Sequence, residues 1–523
     1  MAIRTLLKRH AYYDSITLML LAQEVKKQEG VEDVGAVMAT TANLELLREA
    51  HLLPDNWSTS SDAPTASDLF LAIRAVDDAA ADAALLAAER QLSARKEQHT
   101  GSSLERQPVR SLEQALKRDP NANLAFVAVA GEHAWLEAEQ ALRHGLHVFL
   151  FSDNVPIEQE RRLKTLALER DLLLMGPDCG TAFINGVGLG FSNVVPRGPV
   201  GIVGASGTGM QQVMCLLAAA NVGISQAIGT GGRDLSEPIS GAMMRHGLAL
   251  LARDPQTSVI VLISKPPAPV VAQAVLAEAA HVDKPVIIIF LGADVQRFTG
   301  TAPHISFART LTEGASLAVA AAGGKQIPAL STQLTVDEMQ RLATLRSQLT
   351  PSQRYVRALY SGGTLCDEAM LLLSEHLGTV VSNIPLRPEW QLAAGETFRG
   401  HTALDLGADE FTRGRPHPMI DPSQRLRYLR EAADDPQTAL ILLDIVLGFC
   451  AHPDPASLYA PAIEAARQQA IAAGRSLPII VALCGTEGDP QRFSRQCQQL
   501  EAAGALVYES NVAATLAAIT LLA

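Results

Sequence analysis

Three stretches of small residues stand where an aliphatic run gives way to a helical pattern, and each could meet an anion. The first, Gly204-Ala-Ser-Gly-Thr-Gly209, follows Val200–Val203. Without side-chain bulk the backbone can close on a ligand, the first-turn N–H groups turn towards it, and the helix dipole adds partial positive charge. Ser206, Gly207, Thr208 and Gly209 would form such a phosphate nest, with hydroxyl donors from Ser206 and Thr208. No Gly-Lys-Ser/Thr follows, and glycines at 204, 207 and 209 do not make G-x-G-x-x-G, so neither common nucleotide pattern applies. Alone, the loop is equally a tight turn. A second loop, Ser361-Gly362-Gly363-Thr364, follows the strand-like Tyr355–Tyr360, and a matched pair suggests one site between two helix N-termini.

The third cluster is Gly229-Thr-Gly-Gly-Arg-Asp234. Gly231 and Gly232 would extend the phosphate site, and Arg233 would bring fixed charge to a carboxylate or phosphate. The alternative is that Arg233 simply pairs with Asp234. Its counterpart runs from Asp405-Leu-Gly-Ala-Asp409 to Arg413, Arg415, His417 and Asp421, stiffened by Pro416, Pro418 and Pro422. His417 ranks first for acid–base work, with Arg415 and Arg233 as further catalytic candidates; an exposed loop with local caps would look the same. Lys265 ends a buried strand, where ligands of open α/β sheets sit. It and Asp405 are the substrate-binding candidates, against an exposed lysine as the plain alternative.

The elements that must position these residues read as α/β. Residues 1–107 form a small α+β module with strands at 2–8, 32–40 and 69–76, a helix at 14–28, and another to about Arg95; 96–107 reads as a linker. Strands and helices alternate from 120 to 196 in a Rossmann-like pattern. Two flavodoxin-like units follow, 197–326 and 350–523, with a polar, partly helical bridge between them. They repeat one another. Thr208 and Thr364 stand 156 positions apart, whereas the Asp-Pro-Gln-Thr segments starting at Asp254 and Asp435 stand 181 apart. The difference implies an insertion near Arg413–Arg425, and the repeat implies a pseudo-two-fold axis.

Composition narrows the function classes. The net charge of −12 argues against nucleic acid as a partner. Aromatics are only 4%, so the cores must be aliphatic, as parallel sheets are. The cysteines, Cys179, Cys215, Cys366, Cys450, Cys484 and Cys497, form no C-x-x-C pair, so no metal site is expected and reduced, buried thiols are. No signal core or membrane-length apolar run occurs, and a cytoplasmic location is expected.

The strings Gly176-Pro-Asp-Cys179, VGIVGASGTG, IGTGGRDLSEP, ISKPPAP and KPVIIIFLG resemble the alpha subunit of succinyl-CoA synthetase. GPDCGT, GTGGRDLS, SKPPA, GGTL and GRPHPMIDP resemble the FdrA family of acyl-CoA synthetases over nearly the whole chain. The resemblance implies a CoA-binding-like domain at 120–196 and two synthetase-type ligase domains, the second like that of the beta subunit. It gives phosphate-nest roles to Ser206, Gly207, Thr208, Gly362, Gly363 and Thr364. Departures matter. The region of the synthetase phosphohistidine offers only His304, without its glycine frame, and segments like the nucleotide-grasping domain and the early CoA loop are not seen. What remains suits inorganic phosphate as co-substrate. The resemblance thus implies a subunit of a phosphate-dependent carbamoyl or acyl transferase, of the oxamate carbamoyltransferase type in oxalurate breakdown. It would be homo-oligomeric and joined by partner subunits. An acyl-CoA ligase subunit using ATP and CoA, and a non-catalytic regulator, are the alternatives.

Overall fold

The computed structural model describes residues 2–11, 13, 15–53, 64–100, 109–294, 302–393, 395–412 and 415–523. The chain divides into two compact units, one of residues 1–110 and 413–416, the other of 111–412 and 417–523.

In the first unit, β1 (Ala2–Lys8), α1 (Ser15–Lys26), β2 (Val31–Met38), α2 (Thr41–Glu49), β3 (Leu69–Ala75) and α3 (Asp78–Thr100) follow in order. The sheet is antiparallel, β1-β3-β2. The central strand carries the unbroken aliphatic run and is buried. Buried Asp68 accepts from the His10 and Thr65 N–H groups and pairs with Arg9, closing the entry to β3. α3 continues through Thr100, so the linker expected from 96 begins as helix; 101–107 lie outside the described residues.

The second unit opens with α4 (Leu112–Arg118), β4 (Leu124–Val127), α5 (Gly131–Arg143), β5 (His147–Leu150), α6 (Ile157–Glu169) and β6 (Leu174–Met175), the strands forming a parallel sheet β4-β5-β6. Next come β7 (Thr181–Ile184), β8 (Val187–Gly190), β9 (Arg197–Ala205), α7 (Gly207–Ala219), β10 (Ile224–Gly229), α8 (Ala242–Arg253), β11 (Val259–Ser264), α9 (Pro269–Ala279), β12 (Val286–Phe290), β13 (Ile305–Phe307) and α10 (Leu311–Ala321). They build a seven-stranded sheet, β13-β12-β11-β9-β10-β7-β8, parallel from β13 to β10. The hairpin β7–β8 pairs antiparallel with β10, so this sheet crosses the boundary expected at 196.

After α11 (Val336–Arg346), a second sheet is built from β14 (Tyr355–Tyr360), α12 (Gly363–Leu377), β15 (Val380–Ser382), β16 (His401–Asp405), α13 (Asp409–Thr412), α14 (Ser423–Asp434), β17 (Thr438–Val446), α15 (Ala456–Ala472), β18 (Ile479–Cys484), α16 (Phe493–Ala502), β19 (Leu506–Tyr508) and α17 (Asn511–Leu522). Its order is β15-β16-β14-β17-β18-β19, all parallel. The central strands β17 and β18 are buried along their whole length because helices cover both faces. The fold is therefore mixed α/β with parallel sheets, as the alternation of elements required.

The two repeats share one core on their facing sides, and each buries a further cluster on its outer side. Met210 and Met214 of α7, Ala315 of α10, Leu365 and Met370 of α12 and Ala518 of α17 belong to one cluster. Polar side chains seal the seam: Asn511 accepts from the Tyr360 hydroxyl and donates to Glu368, whose other oxygen takes the Leu311 N–H. Cys215 and Cys484 meet there with sulfurs 3.8 Å apart. Four thiols are buried as expected; Cys450 is exposed and Cys497 half-buried.

Candidate active site

Ser206 follows β9 in extended conformation and caps α7, its hydroxyl accepting from the Gly209 N–H at 3.1 Å. The same hydroxyl donates to Thr364 Oγ1 at 2.8 Å, bringing the start of α12 against the start of α7. A methyl on Gly362 would lie 2.6 Å from Thr208, and one on Gly209 would lie 3.0 Å from the Thr364 methyl. These contacts obey the repeat. Position 206 corresponds to 362 and 208 to 364, so Ser206–Thr364 and Thr208–Gly362 are the same contact turned about a pseudo-two-fold axis. The first-turn N–H groups of both helices have no acceptor within their own helix. Their dipoles add positive potential where they meet.

The second loop is partly filled from within. Asp444 on β17 accepts from the Ser361 N–H at 2.8 Å, the Ser361 hydroxyl at 3.0 Å and the Gly362 N–H at 3.0 Å. Arg425 pairs with Asp444 at 2.9 Å, both buried. The N–H of Gly362, expected to hold phosphate, is thus committed to a protein carboxylate, leaving Gly363 and Thr364 for a ligand.

Lys265, just beyond β11, reaches Asp367 at 2.9 Å. A methyl on Gly363 would come 2.9 Å from its Nζ and 2.7 Å from Asp405 Oδ2, so glycine is what lets these groups converge over the helix start. Burial works against the Lys265 charge, but Asp367 and Asp405 outweigh it and hold its pKa above the ordinary value. Asp405 ends β16 and accepts from the Gly407 N–H at 2.9 Å. Burial lifts its pKa to about 6 despite Lys265. Lys265 and Asp405 therefore converge at the start of α12.

His417 lies against it too, its Nε2 2.8 Å from where a methyl on Gly407 would stand and its ring 5.3 Å from that of Phe191. Its Nδ1 accepts from the Met419 N–H at 3.2 Å, so the neutral ring carries its proton on Nε2. Burial, reinforced by Arg425, pushes its pKa down to about 4. The ring expected to shuttle protons is instead a neutral hydrogen-bond donor at pH 7.

Other sequence candidates have protein partners. Arg233 pairs with Glu160 at 2.8 Å and donates to the Val155 carbonyl, while Asp234 pairs with Lys164 at 2.8 Å and caps α8. The Arg233–Asp234 pair does not form; both residues tie the β4–β6 layer to the larger sheet. Gly231, at φ +85°, packs on the Pro177 carbonyl, and Gly232 faces the Asp178 carboxylate. Arg415 is exposed and falls in the other unit. Asp421 accepts from Ser423, a local cap. His304 precedes β13 at its amino end, bonded to the Ala279 carbonyl, whereas the glycine loops lie at the carboxyl ends of β9 and β14.

Two acidic residues escaped the sequence reading. Asp367 is the ion partner of Lys265, and its position three residues after Thr364 in the first turns of α12 was the available signal. Asp178 lies in the Gly176–Gly180 turn with φ +54°. Burial, followed by Asp153 and Asp409, raises its pKa to about 7 against the pull of Lys265 and Arg233.

Three family models match the chain, two of them on the paired glycine-loop helices and their parallel sheets. CoA-ligase covers residues 359–521, CoA binding domain covers 197–292, and the AllF heavy metal-associated domain covers 1–108. The CoA-binding match thus falls on the seven-stranded sheet rather than on 120–196. The protein is succinyl-CoA-ligase-like. It belongs to the family of YahF from Escherichia coli (strain K12), an uncharacterized protein to which it is 42% identical over 98% of this chain and 97% of that one. It is also 28% identical to the alpha-2 subunit of mitochondrial ADP-forming succinate–CoA ligase of Trichomonas vaginalis, over 45% of this chain and 79% of that one. With the corresponding alpha subunit of Aquifex aeolicus (strain VF5) it shares 26% over 37% and 64%.

Residues 1–108 contain no cysteine, and no group of three metal-ligating side chains gathers among the described residues. Soft metals select thiolates, so this domain does not fit the heavy metal in its family description. Among the described residues no helix is long and apolar enough to cross a membrane.

Proposed function

We propose that this chain is a subunit of a phosphate-dependent acyl or carbamoyl transferase, with the phosphate or acyl-phosphate group held between the starts of α7 and α12. The observation that carries the reading is the meeting of two helix N-termini through Ser206 and Thr364, beside the Lys265 ammonium and the Nε2–H of His417. Preorganised donors of this kind stabilise charge developing on a transferring group. Thr208, Gly363 and Thr364 supply the cradle, Lys265 the neutralising charge, and His417 a donor to an acyl oxygen. The substrate we infer is oxalurate, which with phosphate gives oxamate and carbamoyl phosphate. This reaction has no need of the histidine phospho-carrier that the site lacks, His304 being at the far end of its strand.

Purified with the subunits that accompany it, the protein is expected to form carbamoyl phosphate from oxalurate and phosphate without ATP or CoA. Thioester formation that requires both would establish the second reading, an acyl-CoA ligase subunit. That reading is favoured by the CoA-binding and CoA-ligase matches. It is also favoured by a run of rings from exposed Phe126 through Phe151 and Phe191 to His417, an apolar path suited to a long ligand such as CoA.

A further inference from the structure

We infer that Asp178 is the group that transfers the proton in the reaction proposed above, a role resting on that reading. Four observations converge on its carboxyl group. Its backbone is left-handed, at φ +54°, a conformation most side chains avoid and which concentrates at functional sites. The Asp178 N–H is tied to the Ser152 carbonyl at 2.9 Å, which fixes the turn and leaves the side chain to project. Among the described residues no hydrogen bond or ion pair reaches its carboxylate, although solvent can touch it. Its Oδ2 faces the third glycine cluster, 3.6 Å from where a methyl on Gly232 would be.

The charges around it come from four elements: Asp153 after β5, Arg233 after β10, Lys265 after β11 and Asp409 on α13. Lys265 is the link to the glycine loops, since the same ammonium binds Asp367. Crowding and the two carboxylates favour the protonated form, and the two cations oppose it. The balance leaves the carboxyl near half-protonated around neutrality, at about 7.

The chemistry requires such a group. When phosphate oxygen attacks the carbamoyl carbon of oxalurate, a C–O bond forms, the C–N bond breaks, and the departing amide nitrogen must gain a proton. Hydrogen phosphate must lose one. The carboxylic acid of Asp178 gives its proton to nitrogen and regains one from the phosphate hydroxyl, so atoms and charge balance without another reactant. His417 cannot do this, with Nδ1 occupied and the ring neutral.

The test compares wild type, Asp178→Asn and Asp178→Glu in the full assembly, following carbamoyl phosphate from oxalurate and phosphate between pH 5.5 and 8.5, together with orthophosphate binding by calorimetry. Asparagine tolerates the left-handed backbone, so D178N is expected to fold and to bind phosphate within threefold of wild type. We expect kcat to fall about 100-fold or more in D178N, the usual contribution of general acid–base catalysis, and the limb near pH 7 to vanish. D178E should restore part of the rate with a displaced limb. Unchanged kcat, or the same limb in D178N, would overturn the inference while leaving the transferase reading intact. Wild-type protein that makes no carbamoyl phosphate would overturn both.

Discussion

Ser206 and Thr364 show how little covalent difference separates a turn from a site. One hydroxyl caps its own helix and binds the neighbouring one. Thr364→Val removes the acceptor of that bond and is expected to cost about 1 kcal/mol of stability, with roughly tenfold weaker orthophosphate binding by calorimetry. Thr208→Val should weaken phosphate similarly with no measurable loss of stability. If both variants bind phosphate like wild type, the two helix starts do not share an anion. In the proposed site His417 is a hydrogen-bond donor only, its Nδ1 being taken by the Met419 N–H. Replacing it with Gln, which keeps an N–H near the Nε2 position, should hold kcat within about tenfold, whereas Ala should lower it about 100-fold or more. Neither should remove a pH limb between 5 and 8, since the ring titrates at about 4; a limb that disappears in H417Q would make it the proton carrier.

The glycine clusters look alike in sequence and do different work as loops. Gly363 permits Lys265 and Asp405 to converge on the start of α12, a ligand-facing task. Gly362 belongs to a nest already holding Asp444. Gly231 is a packing glycine, at φ +85° with its Cα against the Pro177 carbonyl. Gly231→Ala is expected to lose ~2–3 kcal/mol in urea unfolding, the cost of a strained conformation with a backbone clash, and to displace the turn bearing Asp178. An unfolding midpoint equal to wild type would show that the turn yields freely. In the same way Arg233, placed in a loop that invites a ligand, is held by α6 through Glu160.

The two repeats share a core along their seam, and this sets the response to pH. Glu368 on α12 is buried at the seam, accepting from Leu311 and Asn511, and burial raises its pKa from 4.5 to about 7. Asp405 and Asp178 shift the same way, to about 6 and about 7. A carboxyl whose folded pKa exceeds its unfolded value binds more protons when folded, so its contribution falls as pH rises between the two values. The melting midpoint should therefore be a few degrees lower at pH 8 than at pH 6, and Glu368→Gln should flatten that slope. A midpoint that rises over this interval would show that Glu368 is ionised at no cost.

Much was legible from the chain alone. Aliphatic runs alternating with helical ones implied an α/β fold, and the 156-residue offset matched one glycine loop to the other. Composition and periodicity report such things because local geometry and burial depend on short spacings. Partner choice does not. Asp444 stands 82 residues beyond Gly362, and Glu160 stands 73 before Arg233, so only chain closure could reveal which nest is already filled and which cation is already paired. The same holds for the carboxyl groups. Asp405 and Glu368 read as ordinary surface acids until packing removes their water, and it is that desolvation, created by residues distant in sequence, that brings them to titrate near neutrality.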